Sequence, residues 1–275
     1  MTAQHLAKRG YCCGNACLHC PYNYAAVQPV ERRRVLRKRN EPVDDSVFRA
    51  ATKRTSLPEL FNPFRQRDAA CDLPGAARLR RANLAAYFAA LDILDRPRDL
   101  WLAEAPGATG TRRTGIPLVD ERELALANAA YTINPPLQRA TITPVSGATS
   151  TGLAIWEQIE RTGQCPVLWN VLLHHPQASG PKLGNRSPRA AEVRHFTPLI
   201  KLAYERWCLG ADNDPLPRVI AIGKFAERAA LDLKLPNVHY VRHPAQGGLT
   251  TFRERMAALY ADATDDTVAE NVAHQ

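Results

Sequence analysis

Four short apolar runs, separated by stretches of helical periodicity, constrain most strongly what this chain can fold into. They span residues 100–103, 167–173, 219–222 and 238–241. Each run is the length of a strand and too short for a helix, and apolar residues fill most positions, which is typical of strands buried on both faces. The pattern predicts an α/β fold, a three-layer α/β/α sandwich around a central, mainly parallel four-stranded sheet.

The helices between these runs are predicted from apolar residues that recur every three or four positions. The first is expected to begin at Asn83 as its N-cap. A second, between the second and third runs, contains Pro198, which we expect to kink or split it. The apolar faces of the three clearest helices are formed by Leu84, Tyr87, Phe88, Leu91 and Leu94; Val193, Phe196, Ile200, Ala203 and Trp207; and Phe225, Ala229 and Leu233.

The chain divides by composition into four parts. We predict a cysteine-rich metal-binding module over 1–24, a basic linker with short helices over 25–82, an α/β domain over 83–262 and a flexible tail over 263–275. Prolines recur through the second part and interrupt any long helix. The sequence leaves the oligomeric state open.

Basic residues are concentrated in the first third of the chain. The net charge is +9, and residues 1–100 hold 18 Lys and Arg against 10 Asp and Glu. Such an excess attracts phosphate backbones, although a solvated helix or linker would look the same. No apolar stretch approaches the roughly 20 residues of a membrane span. No apolar leader precedes the cysteines, so we expect a cytoplasmic protein with no membrane partner.

Polar residues lie in or just after three of the predicted strands, toward their carboxyl ends. Glu104 follows the first run, Asn170 lies in the second, and His243 comes just after the fourth. Ligands of open α/β sheets bind beyond the carboxyl ends of the strands. The sequence therefore predicts one crevice that holds a carboxylate, an amide and an imidazole.

The motifs around these residues resemble, in their order and spacing, those of the uracil-DNA glycosylase superfamily. The closest branch is the one whose first motif reads Gly-Glu-Ala-Pro-Gly. The resemblance covers residues 99–260, more than half of the chain. Its motifs are Ala103-Glu104-Ala105-Pro106-Gly107, the segment 114–119, Trp169-Asn170, Asn185-Arg186-Ser187-Pro188 and the segment 243–248.

This resemblance implies a DNA glycosylase that hydrolyses the N-glycosidic bond of uracil, or a related deaminated base, in DNA and so initiates base excision repair. Glu104 would position or polarise the attacking water, and His243 would donate a hydrogen bond to the uracil oxygen that gains negative charge. Asn170 would read the pyrimidine edge. No cofactor is expected for catalysis. The other expected contacts with uracil-containing DNA are Ala105, Pro106, Gly107, Leu118, Pro244 and Ala245.

Two departures from the family pattern leave a second interpretation open. Ala103 stands where relatives usually have Gly, and Leu118 stands where they often have a Phe that stacks on the turned-out base. Leucine gives apolar contact without an aromatic face. The alternative is a catalytically silent nucleic-acid-binding protein of the same fold with a metal-binding regulatory head.

Four of the seven cysteines fall within one nine-residue stretch, residues 12–20. In a cytoplasmic chain such clusters bind metal more often than they form disulfides. The spacing predicts a zinc ion or an iron–sulfur cluster, although free thiols would give the same pattern. The related glycosylase branch carries its cluster on cysteines spread through the catalytic domain, and those are missing here. The predicted ligands are Cys12, Cys13, Cys17 and Cys20.

Overall fold

The computed structural model describes residues 3–15, 17, 20, 26, 46–55, 57–94, 97–142, 149–178, 184–210 and 214–261. The chain forms two compact units, Met1–Ser46 and Val47–Gln275. The first unit holds helix α1 (Ala3–Ala7) and the cysteine-rich segment. The predicted tail over 263–275 lies outside the described residues.

The second unit alternates strands with helices along the chain. Among the described residues, none of the helices is both long and apolar enough to cross a membrane. The elements from residue 46 onward are α2 (Ser46–Thr52), β1 (Leu60–Phe61), α3 (Ala76–Leu91), β2 (Leu100–Ala103), α4 (Thr111–Thr114), α5 (Leu124–Ala130), α6 (Ser150–Thr162), β3 (Val167–Asn170), β4 (His175–Pro176), α7 (Ala190–Trp207), β5 (Val219–Ile222), α8 (Lys224–Asp232), β6 (Val238–Val241) and α9 (Leu249–Leu259).

The four predicted apolar runs form one parallel sheet in the order β3-β2-β5-β6. Leu100 pairs with Val167 on one side and with Val219 on the other, and Ala103 pairs with Asn170 at the far end. Strand β3 ends at Asn170 rather than at residue 173, although Val171, Leu172 and Leu173 remain buried. The short strands β1 and β4 form a separate antiparallel pair.

Helices cover both faces of the sheet. Every residue of β2, β3 and β5 is buried, which requires cover on both sides because side chains alternate between the faces. On one side α7 packs along β3, where Trp207 and Trp169 meet the ring of Phe88 from α3. The α/β sandwich with a four-stranded parallel sheet is therefore confirmed.

Two details of the helix predictions were wrong. Helix α3 begins at Ala76, and Asn83 lies inside it, not at its cap. The Asn83 amide is buried and donates to the carbonyls of Thr114 and Gln138, at 3.0 and 2.8 Å, so tertiary contacts hold a residue that usually favours helix ends. Pro198 does not split α7, which runs through it.

The division between the units differs from the one expected from composition. Part of the segment predicted as a basic linker packs with the sheet: Val47, Ala51 and Phe64 are buried in the core of the second unit. Val47 and Ala51 lie on a helix of only seven residues, so the apolar pattern there is too short to predict that it packs with the sheet.

Candidate functional site

A cavity of about 800 Å³ opens at the carboxyl ends of the four parallel strands. All four strands contribute to its lining, through Ala103 of β2, Asn170 of β3, Ile222 of β5 and Tyr240 of β6. The chain leaves β2 toward β3 but leaves β5 toward β6, so the strand order reverses direction between β2 and β5. Such a switch point is where open α/β sheets bind ligands.

The three residues expected to meet in one crevice do so. Glu104, Asn170 and His243 all line this cavity, and the lining also includes Ala105, Pro106, Gly107, Leu118 and Ala245. Pro244 is buried and is not part of the lining, so the structure gives no support for its expected contact with substrate. The chemical roles of these residues stay predictions.

Asn170 combines full burial with unused hydrogen-bonding capacity. Its side chain is 1% exposed. Neither Oδ1 nor Nδ2 has a hydrogen-bond partner among the described residues. A buried amide left in this state destabilises the fold by about 1–3 kcal/mol. An unpaired donor and acceptor that line a cavity are suited to a ligand that presents the complementary acceptor and donor.

Glu104 stands half-buried at the end of β2. Burial raises the pKa of its carboxyl above the ordinary value. The loop that carries it is tied from both sides: the Leu172 amide donates to the Glu104 carbonyl at 3.1 Å, and His175 Nδ1 donates to the Pro106 carbonyl at 2.7 Å. The Ala108 amide donates to Asn185 Oδ1 at 2.9 Å. The carboxylate is therefore carried by a turn that three hydrogen bonds tie to the neighbouring segments.

His174 and His175 serve the structure, in agreement with the absence of partner ligands around them in the sequence. His174 Nε2 donates to the Ala51 carbonyl at 3.0 Å, while His175 holds the Pro106 turn. Burial lowers the pKa of His174 to about 4, and it also lowers the pKa of His175. Both rings are thus neutral near pH 7.

The imidazole of His243 is held as a neutral hydrogen-bond donor. Burial lowers its pKa below the ordinary value. Nδ1 lies 3.2 Å from the Ala245 amide nitrogen and accepts its hydrogen. A neutral ring that accepts at Nδ1 carries its proton on Nε2. The Nε2–H group is therefore the one available to a ligand.

Leu118 lines the cavity in an unusual backbone conformation. Its φ is 58°, a left-handed value that is uncommon for a leucine, and its side chain is 5% exposed. Trp156 Nε1 donates to the Leu118 carbonyl at 3.1 Å and helps to hold this conformation. Strained residues of this kind cluster at functional sites. The methyl of Ala103, the other departure from the family pattern, is buried at the end of β2.

A second carboxylate in the lining, Asp120, was missed from the sequence. Burial raises its pKa, while Thr149 donates to Oδ2 from both its amide, at 3.3 Å, and its hydroxyl, at 2.5 Å. Gly110 and Gly152 face it, and a Cβ on either would collide with the carboxylate. These residues are far apart in sequence, so no local sequence motif predicts the arrangement.

Because Gly152 packs against Asp120, we expect an alanine at Gly152 to destabilise the protein although alanine usually stabilises a helix. Gly152 lies in the first turn of α6, where alanine would ordinarily favour the helix by about 1 kcal/mol. Its Cβ would lie 2.8 Å from Asp120 Oδ2. We expect Gly152→Ala to lower the free energy of unfolding in the wild-type background and to raise it in an Asp120→Ala background. Urea unfolding of the four proteins measures both effects, and strict additivity would contradict the contact.

Cations lie at the rim of the cavity. Lys224 and Arg242 are exposed lining residues, and Lys224 Nζ lies 3.9 Å from the centre of the Tyr240 ring. Arg186 also lines the cavity, but Glu192 holds it through two hydrogen bonds of 2.5 and 2.9 Å. Lys224 also pairs with Glu227, at 2.9 Å, but Lys224 and Arg242 are the more exposed cations and can reach an anionic ligand from the rim.

The four predicted metal ligands lie in the first unit and form two thiol pairs. The sulfurs of Cys13 and Cys17 are 3.7 Å apart, and those of Cys12 and Cys20 are 3.8 Å apart. Within the described part of the chain, no three His, Cys, Asp or Glu side chains are already gathered into a metal-binding group.

Comparisons with known proteins match different parts of the chain. Residues 1–26 match a family model described as a family of unknown function, DUF5522. A comparison with curated proteins gave no match. Among solved structures, "The crystal structure of WT Pedobacter heparinus SMUG2" matches at 16% identity with a TM-score of 0.49, over 83% of this chain and 97% of that chain. A likeness at this level says nothing about the chemistry of this chain.

Proposed function

We propose that this chain is a DNA glycosylase that hydrolyses the N-glycosidic bond of uracil, or of a related deaminated base, in DNA. The observation that carries the proposal is the buried, unpartnered amide of Asn170 in a cavity that also presents the Glu104 carboxylate and the neutral His243 imidazole. The three groups match the requirements of one reaction, in which a base is recognised, its anion is stabilised and a cationic sugar is attacked by water.

Glu104 and His243 stabilise opposite charges that develop in the reaction. Breaking the N-glycosidic bond leaves an oxocarbenium-like sugar and an anionic base, as in glycoside hydrolysis. The Glu104 carboxylate stabilises the positive charge and orients the water. The Nε2–H of His243 donates to the base oxygen that gains negative charge. A donor fixed in advance for this task is worth about 100-fold or more in rate.

The Asn170 amide supplies selectivity for the base. Its Nδ2 can donate to O4 of uracil while its Oδ1 accepts from N3–H. Cytosine presents the opposite pattern, an acceptor at N3 and a donor at the exocyclic amine, so both groups of Asn170 would stay unpaired. Buried groups left unpaired reject the wrong ligand more strongly than a missing apolar contact does.

DNA would approach the rim of the cavity with one nucleotide turned out of the helix. Enzymes that act on a base extract it from the stack into a pocket. The cavity, about 800 Å³, has room for a nucleotide, and Lys224 and Arg242 stand at its mouth to meet phosphates. Replacing both with glutamine should weaken DNA binding without changing base selectivity.

The test is formation of abasic sites in duplex oligonucleotides that each carry one uracil, one hypoxanthine or one mismatched thymine. We expect the uracil strand to be cut after alkaline treatment and the undamaged strand to stay intact. Binding that decreases with salt, without release of any of the three bases, would instead select the catalytically silent protein.

The rate of base release is expected to fall as the pH decreases. Glu104 must be ionised to act. Because burial raises its pKa above that of an ordinary glutamate, activity should be lost at a higher pH than it would be with a solvent-exposed glutamate. Burial lowers the pKa of His243, so its ring stays neutral further into the acid range. Profiles of kcat/KM against pH for wild type and Glu104→Gln measure this, and an acid limb unchanged in the variant would contradict the role of Glu104.

A further inference from the structure

The carboxylate of Asp120 lies where three segments of the cavity wall meet. Its own segment carries Leu118, which also lines the cavity. On one side Oδ2 accepts two hydrogen bonds from Thr149, the N-cap of α6. On another side a Cβ added to Gly110 would lie 2.4 Å from Oδ1, so the loop between β2 and α4 passes directly against the carboxylate. The steps proposed above for base release do not use Asp120.

Helix α6 is tied to both ends of the segment 118–120. The Thr149 hydroxyl accepts from the Gly152 amide at 3.0 Å and donates to Asp120 Oδ2 at 2.5 Å. The dipole of the helix also favours a carboxylate at its N-terminus. Farther along the helix, Trp156 Nε1 donates to the Leu118 carbonyl at 3.1 Å. The start of α6 and this segment therefore hold each other in place.

The backbone of Leu118 requires such support. Its φ of 58° brings Cβ close to the following carbonyl oxygen, so a segment without other contacts would leave this conformation. The next carbonyl, that of Val119, accepts from the Thr114 hydroxyl at 2.6 Å. Hydrogen bonds at Leu118, Val119 and Asp120 thus hold three successive residues. Of these three ties, only the one at Asp120 is made by a side chain of the segment itself.

We propose that Asp120 is a positioning residue that holds Leu118 in place as the apolar wall of the base site. This inference rests on the proposed glycosylase function. Leucine has no aromatic face to attract a base, and dispersion contacts weaken steeply with a small gap, so its contribution depends on a fixed position. A contact made equally to the bound substrate and to the transition state affects KM and leaves kcat unchanged.

The test compares Asp120→Ala with Asp120→Asn in steady-state release of uracil from duplex DNA. Asparagine removes the charge but keeps an oxygen that can accept both hydrogen bonds from Thr149. We expect Asp120→Ala to raise KM by about 10-fold with kcat within about twofold of the wild type, and Asp120→Asn to restore both values. The matched control Asp232→Ala removes an exposed carboxylate on α8 and should change neither value.

Two further variants test whether Asp120 acts through Leu118. Leu118→Ala should raise KM by itself, and adding Asp120→Ala should raise it little more, because the second change removes support from a side chain that is already gone. If Asp120→Ala does not fold, Thr149→Val carries the same test. It removes the hydroxyl that donates to the carboxylate and should raise KM without lowering kcat.

Hydrogen exchange of the backbone over residues 116–123 gives a readout that does not depend on base release. Exchange should become faster in Asp120→Ala and stay at the wild-type rate in Asp120→Asn. A wild type that shows this pattern but releases no base would refute the proposed function and leave the support of Leu118 intact. Unchanged exchange or unchanged KM in Asp120→Ala, additive effects with Leu118→Ala, or a loss of kcat in Asp120→Asn would overturn the positioning role.

Discussion

Replacing Asn170 with alanine is expected to decrease base release by about 100-fold or more while leaving the protein as stable as the wild type, or more stable. The activity is lost because two hydrogen bonds to the base edge disappear, and each decade in rate corresponds to about 1.4 kcal/mol. Stability is kept because the amide has no partner within the described residues and its burial without hydrogen bonds opposes folding. Single-turnover base release and thermal unfolding of the same preparation measure the two effects.

Asn83 provides the matched control. It is also a buried asparagine, but its amide donates to the carbonyls of Thr114 and Gln138, and its Oδ1 accepts from the Gln138 amide at 2.8 Å. Asn83→Ala should lower the free energy of unfolding by about 1–3 kcal/mol, because it leaves these backbone groups unpaired. A comparable loss of stability in Asn170→Ala would mean that Asn170 serves the fold and does not recognise a ligand.

Replacing Arg80 with methionine is expected to destabilise the second unit by about 3–5 kcal/mol. Arg80 and Asp72 form an ion pair in which both side chains are fully buried. Removing one partner leaves the other charge buried without compensation. Arg80 Nε also donates to the Arg113 carbonyl at 3.0 Å, so the change reaches α4, which borders the cavity. Chemical denaturation measures the loss.

An exposed pair of the same chemistry is the control for Arg80. Arg228 and Asp232 lie four residues apart on α8, and their side chains are 79% and 56% exposed. Surface pairs contribute at most about 1 kcal/mol, so Arg228→Met should leave the unfolding midpoint nearly unchanged. If Arg80→Met were equally mild, the buried pair would not be a main support of this fold.

The sheet could be predicted from the sequence because its strands are buried on both faces. Apolar runs over 100–103, 219–222 and 238–241 match the strands residue for residue. The run over 167–173 extends past β3 because Val171, Leu172 and Leu173 remain buried after the strand has ended. Burial and strand pairing leave the same apolar signature, so sequence cannot place that boundary.

The centre of the candidate site was also predictable, whereas its surroundings were not. Parallel strands bring their carboxyl ends to one edge, which is enough to gather Glu104, Asn170 and His243. Asp120 reaches the cavity through contacts with glycines and a threonine from separate segments. The unpaired state of the Asn170 amide depends on what packs around it, and no sequence pattern encodes that.

The most direct test of the proposed reaction is the single-turnover rate of uracil release, measured for the wild type, for His243→Ala and for Glu104→Gln alongside DNA affinity. We expect release by the wild type, a loss of about 100-fold or more in His243→Ala and a large loss in Glu104→Gln, with little change in affinity. Wild-type protein that binds DNA but releases no base, or variants that match the wild-type rate, would contradict it.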